Sequence, residues 1–355
     1  MNTFLQKEFR EWFGNIKGDF LGGCVSAFSV IPEVIGFTIV ANVDPILGLY
    51  TSIVFLVLMS FFGGRPAMVS AGAGSMAVVM TTLIKNYGLS YLFAAVFLAG
   101  VLQLILGFCR IGNLLKLIPN SIVSGFCDAL AIIIFISQIK NCFGNVGNTK
   151  ISVLKMFLLI AVGLLVIYLF PKFSKVLPAT LISIIVVTIL SIVIGIISGN
   201  SDTIMISDLG NLKANWPILQ FPKEVLNLST LKVILPYSIS LAFVGLLESM
   251  LTLRVVDKMT DTQSNKNREC CAQGIGNLVC GFIGAMPGCA MIGQAIANVQ
   301  SGGWGRLSTL VSGLVLSCLL SFGSMILGAI PLAALIAVMI FVNTSHKTEH
   351  LGRTN

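Results

Sequence analysis

Charge is scarce in this 355-residue chain. Asp, Glu, Lys and Arg make up 10% of it, against roughly 25% in an average soluble protein. With 56% hydrophobic residues and a mean hydropathy of +0.96, a soluble domain of this size could not bury so much apolar surface. Disorder is excluded for the same reason. Histidine is almost missing: His346 and His350 both fall near the C-terminus, so a histidine-based metal site has no ligands elsewhere. The nine cysteines show no CxxC or Cys/His spacing. Cys24, Cys109, Cys127, Cys280, Cys289 and Cys318 sit within or at the ends of apolar runs, as small membrane-helix residues do. No His/Cys/Ser constellation exists, which argues against an enzyme. A net charge of +8 raises the question of nucleic acid, but basic residues gathered on the cytoplasmic loops of a membrane protein account for it better. What remains is an all-α polytopic membrane protein in the lipid bilayer.

A span needs about 20 mostly apolar residues. Candidate spans lie at roughly 20–40, 45–62, 68–84, 89–108, 120–140, 152–170, 177–198, 233–253, 270–284, 287–300, 306–328 and 330–343, about 12 in all. Residues 1–18 mix Phe4, Phe9, Trp12 and Phe13 with Lys7, Arg10 and Lys17, the pattern of an amphipathic interfacial segment. With alternating spans, roughly two-thirds of the 22 Lys and Arg fall on the N-terminal side, so the N-terminus is expected in the cytoplasm. One long polar stretch, 199–231, reads as an external linker between residues 19–198 and 232–343, with a polar tail at 344–355.

The two halves correspond weakly. The third span opens with Ser70-Ala71-Gly72-Ala73-Gly74-Ser75, and the tenth with Met286-Pro287-Gly288-Cys289-Ala290. Short Gly/Pro-interrupted segments at matching positions mark the binding site of an inverted-repeat transporter, although small residues also serve close helix packing. Two half-helix N-termini, each worth roughly +0.5 charge, would make an anion site without any Lys or Arg. The second half is shorter than the first by about two spans, so the chain reads as C-terminally truncated relative to its own symmetry.

Acidic groups inside apolar spans cost at least ~2.5–3.5 kcal/mol each and are functional candidates by default. Glu248 lies mid-span, with Thr252 four residues on and so on the same helix face. A carboxylate plus a hydroxyl there suits Na+ or a transferable proton; a structural hydrogen bond is the alternative. Glu33 follows Pro32 and is a candidate for the same cavity, and Asp128 is a weaker one. Asp44-Pro45 reads as a turn.

These motifs resemble the SulP (sulfate permease) family of anion transporters. The resemblance runs from about 18 to 342. It rests on Gly18-Asp19, Ile31-Pro32-Glu33, Asp44-Pro45-Ile46-Leu47-Gly48-Leu49-Tyr50, Phe62-Gly63-Gly64-Arg65-Pro66, Gly245-Leu246-Leu247-Glu248-Ser249, the run Asp261 to Glu269, Ala272-Gln273-Gly274-Ile275-Gly276-Asn277, and Arg306-Leu307-Ser308. It implies a seven-plus-seven inverted repeat with core and gate subdomains, the second half incomplete here, and half-helices at spans 3 and 10. The implied anion-binding residues are Ala73, Gly74, Ser75, Ala290, Met291 and Ile292. The members nearest to this sequence are the sodium-dependent bicarbonate-transporting ones, whose acidic residue and threonine in the eighth span match Glu248 and Thr252. Family proteins usually continue into two more helices and a STAS domain, so the resemblance implies a chain truncated before both, with no STAS domain. The implied function is secondary active transport of sulfate or bicarbonate across the plasma (inner) membrane by alternating access. The coupling ion would be Na+ or H+, with no other cofactor and no nucleic-acid partner, and a homodimer is allowed. A nucleobase/proton symporter of the same fold class, an anion channel and an inactive truncated fragment stay open.

Overall fold

Proline, glycine and asparagine cut the apolar sequence into helices. In this computed structural model the described residues are 2–112, 150–172, 179–198, 204–209, 227–323 and 327–351, with scattered positions between them. Most of the expected span 120–140, most of the linker 199–231, and Asp128 lie outside the described residues. Helix α1 covers Asn2–Phe13, α2 Ile16–Ala41 and α3 Pro45–Phe62. Asn42 takes the left-handed conformation at the end of α2 (φ 57°), and Pro45 opens α3. This is the expected pairing of a left-handed C-cap with a proline at a helix start. Next come β1 (Ser70–Gly72), α4 (Gly74–Tyr87) and α5 (Leu89–Phe108). Then follow α6 (Lys150–Leu169), α7 (Ala179–Ser198) and a helical turn at Ile206–Leu209. The second half holds α8 (Leu228–Thr260), α9 (Lys266–Ile283), β2 (Gly288–Ala290), α10 (Ile292–Gln300), α11 (Arg306–Phe322) and α12 (Leu332–Leu351). Six described helices are long and apolar enough to cross a membrane.

The helices are joined at one place by short extended segments. Strands β1 and β2 form a two-stranded antiparallel sheet, with Ser70 opposite Ala290, Ala71 opposite Cys289 and Gly72 opposite Gly288. Three-residue strands are too short for any periodicity to reveal. They form because unwound backbone at membrane depth must still satisfy its N–H and C=O groups, and each unwound segment is the other's partner. As a result α4 starts at Gly74 and α10 at Ile292, later than the span starts at 68 and 287. At 14 and 9 residues they rise only about 21 and 14 Å, too short for a hydrocarbon core of about 30 Å. Helix α8 starts at Leu228, ahead of 232, and α12 continues to Leu351, through much of the polar tail segment.

The chain forms two compact units. The first comprises residues 1–42, 47–118 and 215–319. Its tightest seam is α5 against α9, where glycines let the backbones meet. A Cβ on Gly100 would lie 2.8 Å from the Gly274 carbonyl oxygen, one on Gly274 2.7 Å from the Leu104 nitrogen, and one on Gly281 2.6 Å from the Phe97 nitrogen. Small residues at such a seam replace the hydrophobic drive that lipid does not supply. The free carbonyls at the end of α3 are covered by two arginines. Arg306 donates to Ser60 and Gly63 at 3.1 and 3.0 Å, and Arg268 to Phe61 and Phe62 at 2.9 and 3.0 Å. This is the cationic capping a helix C-terminus favours.

The second unit comprises 43–46, 119–214 and 320–355. Residues Leu332 to Met339 of α12 are all buried there, as expected for a helix that is apolar all round. Gly163 of α6 lets α12 and α7 approach: its carbonyl accepts from the Ser183 hydroxyl at 2.9 Å, and a Cβ on it would sit 2.8 Å from that of Ala337. The outer faces of α6 and α7 expose Leu165, Tyr168, Ile196 and Ile197, the surface a bilayer would cover.

Candidate functional site

Everything that positions the site lies in the first unit. Ala73 and Met291 are the N-caps of α4 and α10, and their backbones are nearly superimposable, with φ −111°, ψ 142° and φ −111°, ψ 121°. Neither gives its helix a side-chain cap. The first N–H groups of both half-helices therefore have no partner within the helix, and each end carries roughly +0.5 charge. The β1–β2 pairing holds the two ends side by side.

A buried polar frame fixes that pairing. Asn277 of α9 treats Gly288 as a strand would: its Oδ1 accepts from the Gly288 N–H at 2.9 Å, and its Nδ2 donates to the Gly288 carbonyl at 3.0 Å and to Gln103 Oε1 at 2.8 Å. Gln103 in turn donates to the Ala242 carbonyl at 3.3 Å. One turn back along α9, Gln273 donates to the Ser70 hydroxyl at 3.0 Å and to Glu269 at 2.8 Å. Thr51 of α3 donates to the Met286 carbonyl at 2.6 Å. Sequence reasoning missed this frame. Its signal was present in Gln103, Gln273 and Asn277, amides inside apolar runs, the latter two four residues apart and so on one face.

Helix α8 supplies the carboxylate. Three of its residues reach the β2 segment. The Cys289 thiol donates to Glu248 Oε2 at 3.1 Å, the Ala290 N–H donates to the Ser249 hydroxyl at 3.2 Å, and the Thr252 hydroxyl reaches the Ala290 carbonyl at 3.4 Å. The Ser75 hydroxyl also donates to Glu248 Oε2. Glu248 and Thr252 do share a face, but the hydroxyl on the carboxylate is that of Ser75. The Thr252 hydroxyl is spent on backbone carbonyls, that of Glu248 at 2.9 Å among them. Glu33, 6% exposed, brings its Oε1 to Gly293 at the start of α10, so a second carboxylate flanks the helix ends.

The expected anion residues divide into two groups. The N–H groups of Ala290 and Met291 are used inside the protein, by Ser249 and by the Val69 carbonyl at 2.9 Å. Ile292 and Gly293 begin the turn whose donors lack helical acceptors, because the first intrahelical bond is from Ala295 to Met291. Gly293 is exposed, and the place of its absent side chain is open. On α4 the corresponding donors are Gly74, Ser75 and Met76, with Ala77 making the first helical bond to Ala73. The Phe37 ring covers Gly74, filling the place where a Cβ would stand. Among the described residues no group of three or more His, Cys, Asp or Glu could hold a metal ion.

Paired discontinuous helices whose N-termini meet beside buried carboxylates define the class: an integral membrane transporter built from a repeat, not an enzyme. The chain belongs to the sulfate permease family, whose profile matches residues 16–353. It is 46% identical over 342 residues to the protein named "Putative sulfate transporter YbaR" of Bacillus subtilis (strain 168), covering 96% of this chain and 69% of that one. It is 29% identical over 350 residues to the bicarbonate transporter BicA of Picosynechococcus sp., covering 92% of this chain and 61% of that one. The chain thus spans about six- to seven-tenths of the length of these relatives. Among solved structures, the transmembrane domain of a cyanobacterial BicA aligns with a TM-score of 0.82 at 27% identity, covering 94% of this chain and 89% of that domain. Murine Solute Carrier 26 family member A9, in the inward-facing state, shares the fold with a TM-score of 0.80 at 21% identity, covering all of this chain and 66% of that one.

Proposed function

We propose that the protein carries a small inorganic anion, sulfate or bicarbonate, across the plasma membrane by alternating access, with a cation, Na+ or H+, as co-substrate. The N-terminus would lie in the cytoplasm, as the distribution of Lys and Arg favours. The single observation that carries this reading is the meeting of two uncapped half-helix N-termini beside Glu248. The anion would be held by N–H groups of Gly74 and Ser75 on one side and of Ile292 and Gly293 on the other. The relatives named for sulfate and for bicarbonate support an anion of this size class.

The charges explain the need for a cation. Two helix ends give about +1, while Glu248 and Glu33, both ionised, would give −2. In that doubly ionised state the bare site repels an anion. A cation on Glu248, ligated by its carboxylate and by neighbouring oxygens such as those of Ser75 and Thr252, brings the sum to about zero and removes the repulsion. Helix ends totalling about +1 match a monoanion better than a dianion, which favours bicarbonate over sulfate on electrostatics alone. Uptake of labelled sulfate and bicarbonate into proteoliposomes, with and without an imposed Na+ or proton gradient, tests the proposal. Uptake of one anion accelerated by one gradient supports it. Equal uptake under all gradients refutes the coupling, and no uptake of either anion refutes the substrate class.

A further inference from the structure

A second candidate site lies in the first unit, at the end that carries α1. There a cavity of about 580 Å3 is lined by residues from α1, from the α3–β1 loop, from the end of α8 and from the loop before α11. Thr260, on its wall, is twelve residues beyond Glu248 on the same helix, about 18 Å away at 1.5 Å per residue. The cavity is therefore not the site described above.

Its wall holds two arginines, Arg10 and Arg65, against one carboxylate, Glu11, and Arg306 already bonds Glu11 at 2.8 Å. Arg65 is 6% exposed. Its Nη1 donates to the Thr262 hydroxyl at 2.6 Å and pairs with Asp257 at 3.2 Å, and its Nη2 donates to the Thr260 hydroxyl. The Arg65 Nε is buried with no protein partner. A buried donor left unmet is unfavourable, and an arginine side chain is well suited to an oxyanion. Trp304, 53% exposed, adds a flat apolar wall. The volume falls in the range of small-molecule sites, roughly 300–1,000 Å3, and is larger than a bare oxyanion needs.

We propose that this cavity binds a phosphate-bearing ligand, the phosphate against Arg65 and Arg10 and the organic remainder along Trp304. Two sources share that chemistry. One is an anionic phospholipid headgroup, within reach because α1 exposes Phe9 and Phe13. The other is a soluble organic phosphate. Bound ligand would tie α1 to the end of α8, the helix that carries Glu248.

The test uses the purified 355-residue chain in detergent. Trp12→Phe and Trp216→Phe leave Trp304 as the sole tryptophan of the original three. Its fluorescence is titrated with short-chain phosphatidylglycerol, phosphatidylcholine of the same chain length, glycerol 3-phosphate and inorganic phosphate. A saturable response to phosphatidylglycerol alone supports the site with a lipid headgroup as ligand, and an equal response to glycerol 3-phosphate supports it with a soluble one. Arg65→Lys should weaken the response at least ten-fold. Arg10→Gln, at an exposed position that leaves the fold intact, should weaken it several-fold. Glu248→Gln should leave it unchanged. No saturable response to any probe, an equal response to phosphatidylcholine, or a response unaltered in both arginine variants overturns the proposal.

Discussion

Glu248→Gln removes one negative charge from a site where Ser75 and Cys289 both donate to the same carboxylate oxygen. The amide keeps the shape and an acceptor oxygen, so the perturbation is close to purely electrostatic. An anion on the Ser75 N–H would lie about 6 Å from the carboxylate, since the hydroxyl of that same residue reaches it. At an effective dielectric of about 20, two unit charges at that separation repel by about 3 kcal/mol, a factor of roughly 100 in affinity. A cation on Glu248 cancels that term, so in the parent protein the half-saturating anion concentration should fall by up to about two orders of magnitude as the cation is raised. In Glu248→Gln it should be flat with cation and close to the cation-saturated parent value. The assay is the initial rate of labelled-anion uptake into proteoliposomes against anion concentration, at several Na+ concentrations and several pH values. A variant that keeps the parent's cation dependence would show that Glu248 is structural and that the charge argument is wrong.

Other perturbations separate the frame from the site. Thr252→Val, which loses the reach to the Ala290 carbonyl, should raise the half-saturating cation concentration several-fold and affect anion affinity less, read in the same uptake assay. Asn277→Leu strands both backbone groups of Gly288 and should lower stability by about 2–5 kcal/mol, seen as a lower thermal midpoint in detergent. Gly288→Ala places a Cβ 2.7 Å from the Ala71 carbonyl and should cost about 1–3 kcal/mol in the same melt while weakening anion uptake, because it forces β1 and β2 apart. Arg306→Gln, at 2% exposure, unpairs Glu11 and uncaps α3, and should cost about 3–5 kcal/mol by thermal unfolding.

Hydropathy made the spans legible because a membrane helix must be apolar over its whole length, and the small-residue runs around Ala73 and Ala290 marked where helices break. The sheet joining those breaks was not legible, because Ser70–Gly72 and Gly288–Ala290 carry no alternation that three residues could show. Nor could spacing reveal that the Ala290 and Met291 N–H groups are spent on Ser249 and Val69, which moves the free donors to Ile292 and Gly293. Glu248 stood out as a charge in an apolar run. Its partners Ser75 and Cys289 did not, since they come from two other segments 173 and 41 residues away. The i, i+4 rule placed Thr252 on the same face as Glu248, but it could not say that the hydroxyl would turn to backbone carbonyls.

Equilibrium binding measured in both directions tests the central claim most directly. The purified protein is titrated with labelled anion at low and saturating cation, and with labelled cation at low and saturating anion. If the helix-end anion site and the Glu248 cation site form one electrostatic unit, each ligand should tighten the other by the same factor, up to about 100-fold. Anion affinity indifferent to both Na+ and pH would contradict the account.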